Sequence, residues 1–435
     1  MSLKRYLHVM IAVFVPAAGG LIWGCGGGDD DVVTITVINQ PRWSKNIEDA
    51  VEKWNSEHPD QAVKLNQLII GYPQLKNKLM TAAGAGRPPD ISLIDYVWLA
   101  SFVETRHLAP LDSLDHEWFA NDYKKDFFQV FQQGEIIDGR LWGVRTQTDM
   151  ALLWHRKDWL ESEGLDPPET WAELVEVGEH FKKPEIREKY DSGLYPLALP
   201  LGRKARETLV YELLPLFWSN EGGIFEGDSL AVDSPANVET LKFIRSLVEE
   251  HELVSDEAIS FDWNRPAQLF ATGKAALAFG GSYEKRMIQE IAGWSNDEFM
   301  RRAGFTLIPA PPGGTPSTTA GGMCYVIYAL SDHKDLAMEI VKLAVSPEIQ
   351  KSFLLESYQH PPRKSVAADI DEEKYPFIAA TTEYLYKARA RPSFAEYSEL
   401  SDLIQEMIER AAGGNAEAEV AAAEAARDAR ALMAD

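Results

Sequence analysis

Apolar positions along the first hundred residues switch between two periods. Residues 32–38 are a β-branched run, and Ile47, Ala50, Val51 and Trp54 then recur at i, i+3, i+4 and i+7. That pattern predicts a strand followed by a helix over 45–57, which Pro59 closes. Residues 63–70 read as a second strand, Gly71-Tyr72-Pro73 as a turn, and Leu75, Leu79, Met80 and Ala83 as the face of a second helix. A third strand over 91–94 ends at Asp95. Strand, helix, strand, helix, strand predicts a parallel sheet covered on both faces. Ligands of such open sheets bind beyond the carboxyl ends of the strands. Those ends carry Asn39, Gln40 and Trp43, then Gly71-Tyr72, then Asp95-Tyr96. Amides, rings and a carboxylate suit a neutral polyhydroxylated ligand. No glycine-rich phosphate fingerprint follows the first strand, which argues against a nucleotide.

Further on the same reading places an extended apolar segment over 143–154 and helices over 171–181, 209–218, 238–250, 335–345 and 394–411. Residues 416–433 are alanine-rich with interspersed Glu and Arg, a strong helix by propensity. Residues 304–319 are rich in Pro, Gly and Thr and read as a linker.

The N-terminus adds an address. Lys4-Arg5, an apolar run over 7–23 broken by Pro16 and Gly19-Gly20, and small residues after it read as a signal peptide over 1–24 rather than a membrane-spanning helix. Ile22-Trp23-Gly24-Cys25 resembles the lipobox of bacterial lipoproteins, with Trp23 where a small residue is usual. The resemblance implies lipid attachment at Cys25, and the Gly- and Asp-rich stretch over 25–31 reads as a flexible tether. The chain, at 435 residues, is too long for one core and predicts two domains. Its formal charge of −24 is spread out and no Lys/Arg cluster stands against it, which excludes nucleic-acid binding. Cys25 and Cys324 are the two cysteines, one on the tether and one in an apolar strand-like run, so the fold relies on packing rather than a disulfide. No Cys/His spacing points to a metal.

Ordered segments then carry a resemblance. They are Gly86-Arg87-Pro88-Pro89-Asp90-Ile91; Ala151 to Asp158 followed by Gly164-Leu165-Asp166-Pro167-Pro168-Glu169-Thr170-Trp171; Phe270-Ala271-Thr272-Gly273-Lys274-Ala275-Ala276 with Gly280-Gly281-Ser282-Tyr283; Gly321-Gly322; Ser346-Pro347-Glu348-Ile349-Gln350; and Arg391-Pro392 onward. In this order the chain resembles the family 1 extracellular solute-binding proteins, the sugar-capturing subunits of bacterial ATP-driven importers. His155-Arg156 and Tyr283 depart from its usual tyrosine-asparagine and tryptophan.

The resemblance implies an α/β, two-lobe periplasmic-binding-protein fold (type II-like) with the ligand cleft between lobes joined by chain crossings. It implies an N-terminal lobe of residues 32–146 plus 322–357 and a C-terminal lobe of 147–321 plus 358–435. The crossings fall near 145–150, 319–322 and 358–363. It implies a carbohydrate ligand, ABC permease subunits as partners, a membrane contact through the N-terminal lipid, a monomer, and no metal, nucleotide or catalytic cofactor. Asp95 and Asp149 are the candidate acceptors of sugar hydroxyls. Trp43, Trp263 and Tyr283 are the candidate stacking rings, and Tyr72 sits beside them at a strand end. Ser282 and Gly322 offer a hydroxyl and a close-approaching backbone. Arg363 and Arg391 are the cationic candidates. The residues also admit a protein that presents bound sugar to a sensor, or a carboxylate-dependent extracytoplasmic glycosidase. Against an enzyme stand the missing Gly-x-Ser-x-Gly elbow, His/Glu metal motif and nucleophilic cysteine.

Overall fold

A computed structural model describes residues 32–41 and 43–434; the signal peptide, Cys25 and the tether lie outside them. In chain order the strands that build the two main sheets and the crossings are β1 (Val33–Asn39), β2 (Val63–Ile69), β3 (Ile91–Asp95), β4 (Val144–Arg145), β5 (Ala151–Arg156), β6 (Tyr195–Ala198), β7 (Ala275–Gly281), β8 (Ala303–Thr306), β9 (Thr318–Ala320), β10 (Met323–Ile327) and β11 (Ala388–Ala390). One sheet has the order β2-β1-β3-β10-β4, the other β8-β5-β7-β6. Helices α1 (Ser44–Glu57) and α2 (Tyr72–Gly84) connect β1 to β2 and β2 to β3. The apolar face of α1 buries Ile47, Ala50, Val51 and Trp54, and that of α2 buries Leu75, Leu79 and Ala83.

The first three strands are parallel, as the alternation of periods requires. The sheet as a whole is mixed, because β10 returns from the second half of the chain and runs antiparallel to β3, Met323 opposite Asp95. Asp90, from the Gly-Arg-Pro-Pro-Asp segment, ties this sheet together. Its carboxylate accepts the Thr36 amide and hydroxyl at 2.7 Å each and the Ser331 hydroxyl at 2.6 Å.

The second sheet is filled by aromatic packing. Trp154 on β5 is fully buried, stacked on Phe377 at 5.8 Å and edge-on to Phe299 and Phe305, and its indole donates to Glu284 at 3.0 Å. Part of the expected linker over 304–319 is strand: β8 completes this sheet and β9 lies at the crossing. Gly304 is in that strand to make room rather than to break it, since a Cβ there would lie 1.9 Å from His155 Nε2.

The chain passes between the sheets in segments that lie side by side and satisfy one another's backbone groups. Thr148 and His360 exchange hydrogen bonds at 2.9 and 3.2 Å, the Thr146 amide donates to Met323 at 2.9 Å, and the Gly321 amide to Asp149 at 2.8 Å. A further extended segment, β11, pairs in parallel with β9. It follows helix α4 (Pro376–Thr382), whose Phe377 packs on Trp154, and it leads to α5 (Tyr397–Ala412). Among the described residues no helix is long and apolar enough to cross a membrane.

Replacing Trp154 by Ala removes a side chain that fills the second sheet's core and satisfies Glu284. The expected loss is about 3–5 kcal/mol of unfolding free energy, read by chemical denaturation. A loss below about 1 kcal/mol would show that this stack does not hold the second lobe.

Candidate functional site

Acidic and aromatic side chains from both sheets meet at the crossings. Asp95 ends β3 of the first sheet; its Oδ1 accepts the Val97 amide, and its Oδ2 accepts the Tyr72 hydroxyl at 2.7 Å. Across from it, Glu207 and Tyr211 lie one turn apart on α3 (Glu207–Ser219), a helix of the second lobe. Arg391, just past β11, joins the two: its guanidinium lies 3.6 Å from Asp95 and 2.5 Å from Glu207. Its amide donates to the Tyr96 hydroxyl at 2.7 Å, and its guanidinium lies over the Tyr96 and Tyr211 rings at 5.1 and 5.4 Å. Glu207 also accepts the Tyr397 hydroxyl at 2.7 Å and the Ser401 hydroxyl.

Asp149 sits on the first crossing, between these groups. It is 9 % exposed, and burial pushes its carboxyl up to about 6, although the Tyr211 hydroxyl, Arg391 and Arg145 pull the other way. Gly321 is required at this approach, because a Cβ there would lie 2.1 Å from Asp149 Oδ1 and 2.8 Å from the Tyr211 ring. Gly322 has φ 119°, a conformation side chains rarely adopt, and a Cβ would meet the Gln147 carbonyl at 2.3 Å. Arg145 anchors the same turn from below. It pairs with buried Glu135 at 2.6 Å and donates to the Gly321 carbonyl.

The aromatic wall comes from the turn after β7. Tyr283 is half-buried, 6.3 Å from the 41 %-exposed Trp263 and 6.0 Å from Tyr211. The Gly280-Gly281 pair explains its placement. A Cβ on Gly281 would strike the Tyr283 ring at 2.2 Å, and one on Gly280 would strike the Glu284 carboxylate at 1.9 Å. Behind the wall, Glu212 accepts the Tyr283 hydroxyl at 3.4 Å, and Glu284 accepts the Trp154 indole and the Gly281 amide. Each leaves one oxygen buried without a partner, Glu212 Oε2 and Glu284 Oε1. Burial raises both carboxyls, and for Glu212 the charge of Glu284 adds to it.

Of the residues singled out from the sequence, Asp95, Tyr72, Asp149, Trp263, Tyr283, Gly322 and Arg391 fall in or around this group. Ser282 is buried, with its hydroxyl taken by the Met150 amide at 3.0 Å and by His360 at 3.3 Å, so it joins crossings rather than facing a cleft. Trp43 packs against the cluster of Phe353, Leu354 and Val366, and its indole nitrogen is buried without a partner. Arg363 stands apart from the group. Its guanidinium is held by Asp122 at 2.7 Å, Asp126 at 2.9 Å and the Val345 carbonyl at 2.7 Å, a buried strut packed against residues 122–126 and 345.

Tyr96 was placed at a strand end by the sequence, whereas Glu207, Tyr211, Glu212 and Glu284 were not singled out from it. One signal was present for Glu207 and Tyr211: polar residues at i and i+4 at the head of an otherwise apolar helix, so one polar patch meets a buried face.

The model of the bacterial extracellular solute-binding proteins matches residues 39–351, and the chain belongs to that family. A putative binding protein of Brucella abortus is 24 % identical over 389 residues, 89 % of each chain. The arabinooligosaccharide-binding protein of Halalkalibacterium halodurans is 26 % identical over 321 residues, 68 % of this chain and 64 % of that one. Maltose-bound MalE3 of T. maritima superposes with a TM-score of 0.77 at 25 % identity, covering 92 % of this chain and all of the other.

A carboxyl whose folded pKa lies above its ordinary value loses stability as pH rises, here between about 4 and 6. Asp149→Asn keeps the neutral form at every pH. In the ligand-free protein it is therefore expected to add about 2–3 kcal/mol at pH 7 and little at pH 4, measured by urea unfolding at both values. An equal effect at both would show that Asp149 titrates normally.

Proposed function

We propose that this chain captures a carbohydrate, a mono- or oligosaccharide, outside the cytoplasmic membrane and delivers it to an ABC-type permease by hinge closure. One observation carries the reading: carboxylates and aromatic rings from both sheets converge on the segments by which the chain passes between them. Carboxylates accept paired hydroxyls strongly, and aromatic faces cover the apolar face of a pyranose. The relatives support it, since named ones bind arabino-oligosaccharide, maltotriose and maltose.

In this reading Asp95 and Tyr72 grip the ligand from the lobe of residues 32–146 plus 322–357, and Trp263 and Tyr283 from that of 147–321 plus 358–435. Asp149 and the Gly321-Gly322 backbone form the floor. A ligand that touches both lobes favours the closed arrangement by its differential affinity for it. Gly321 and Gly322 absorb the change at the crossing. Arg391 positions Asp95 and Glu207 rather than binding an anion. The signal peptide and lipid attachment at Cys25 place the protein at a membrane, beside permease subunits, as a monomer. Glu212 and Glu284 pair a raised carboxyl with a neighbour, as a glycosidase would, yet both are fully buried and out of reach of a glycosidic bond.

Trp263→Ala and Tyr283→Ala should each weaken saccharide binding by about 1–3 kcal/mol through lost area and stacking. Calorimetry against a panel of malto- and arabino-oligosaccharides measures it, with melting of the Trp263 variant little changed because that ring is exposed. If the panel binds and both variants match the parent, the pocket lies elsewhere; if nothing binds, the carbohydrate reading fails.

A further inference from the structure

The charges at the lobe junction do not balance. Asp95, Asp149 and Glu207 lie together there, and Arg391 answers the first and the last. The next cation, Arg145, is already matched by Glu135 at 2.6 Å. Among the described residues Asp149 makes no ion pair; it is nine-tenths buried, and the neighbouring Tyr211 hydroxyl is itself buried without a partner. Behind it the Glu212 and Glu284 pair, whose carboxyls burial raises, supplies no cation to answer Asp149. Buried carboxylates in proteins are almost always paired with a cation, because removal from water is costly otherwise. An unpaired one at the junction of the crossing segments therefore points to a cation supplied from outside.

The rings beside it agree. Tyr211, Tyr283 and Trp263 follow one another at 6.0 and 6.3 Å, and the last is exposed enough to meet an entering ligand. Aromatic faces attract an ammonium group within about 6 Å of the ring centre. A carboxylate flanked by rings suits an ammonium better than it suits a neutral hydroxyl. An acidic sugar meets the opposite situation: the guanidinium it would seek is neutralised, and the remaining carboxylates repel it.

We propose that the saccharide this cleft selects is an amino sugar, whose ammonium pairs with Asp149 beside the Tyr211, Tyr283 and Trp263 rings. The proposal rests on the carbohydrate reading above and narrows it to a cationic class. Arg391 is thereby a strut that sets the geometry and rejects anions.

The test is calorimetry at pH 7 on the folded chain with matched pairs: glucosamine and glucose, galactosamine and galactose, mannosamine and mannose, and the β-1,4-linked glucosamine disaccharide and cellobiose. N-acetylglucosamine, glucuronate and ethanolamine complete the set. At least one amino sugar is expected to bind about tenfold or more tighter than its neutral partner, the scale of one charge-assisted contact. Acetylation and Asp149→Asn should each abolish that preference, and glucuronate should not bind. Neutral sugars that bind as well as or better than every amino partner overturn the proposal and leave the carbohydrate reading standing. Ethanolamine binding with no saccharide binding overturns the carbohydrate reading and the proposal with it. Silence from every ligand does the same.

Discussion

The close approach of the crossing segments is the constraint on which the remainder of the structure depends. Two extended segments, 146–150 and 318–323, run within hydrogen-bonding distance of each other, and residues 358–360 and β11 flank them. Backbone can come this near only where side chains are absent on the facing side. Gly321 and Gly322 meet that condition, with Asp149 Oδ1 and the Gln147 carbonyl standing where their Cβ atoms would be. The same geometry holds Asp149 out of water, and that burial gives the carboxyl its raised pKa. Packing at a junction and the chemistry of a site are here one arrangement.

The second consequence is the coupling of wall to core. Tyr283, the ring proposed to stack on a ligand, is followed directly by Glu284, whose carboxylate receives the indole of Trp154 at the centre of the second sheet. Ser282, on its other side, bonds the first crossing at Met150 and the third at His360. A three-residue turn, Ser282–Glu284, thus touches the proposed ligand site, the core and the crossings at once. In the proposed reading, force applied to Tyr283 by a bound ligand would reach the crossings through the buried Ser282 contacts, a physical basis for ligand-driven closure.

Periodicity made the first half of this fold legible. The β-branched run of β1 and the i, i+3, i+4, i+7 faces of α1 and α2 are local signals, and local signals survive in sequence. The antiparallel return of β10 has no such signal, because its partner β3 lies more than two hundred residues earlier. Residues 304–319 misled for a related reason. Glycine there serves a contact with His155 that only the folded chain creates. In the site, strand ends and ordered motifs pointed to Asp95, Asp149 and Tyr283, whereas Glu207 and Tyr211 hide in a helix that reads as core. Arg363 and Arg391 look alike as residues next to prolines. Their surroundings separate them, Asp122 and Asp126 in one case and both lobes' carboxylates in the other.

The central claim is that one saccharide is held by both lobes at the crossings. Hydrogen exchange on the folded chain, with and without a saturating saccharide found by calorimetry, tests it directly, since protection reports which backbone segments become ordered or covered. The account predicts slowed exchange at 95–98 on the first lobe and at 281–285 on the second in the same experiment, with 319–322 between them. Protection confined to one lobe, or to a face away from the crossings, would contradict it.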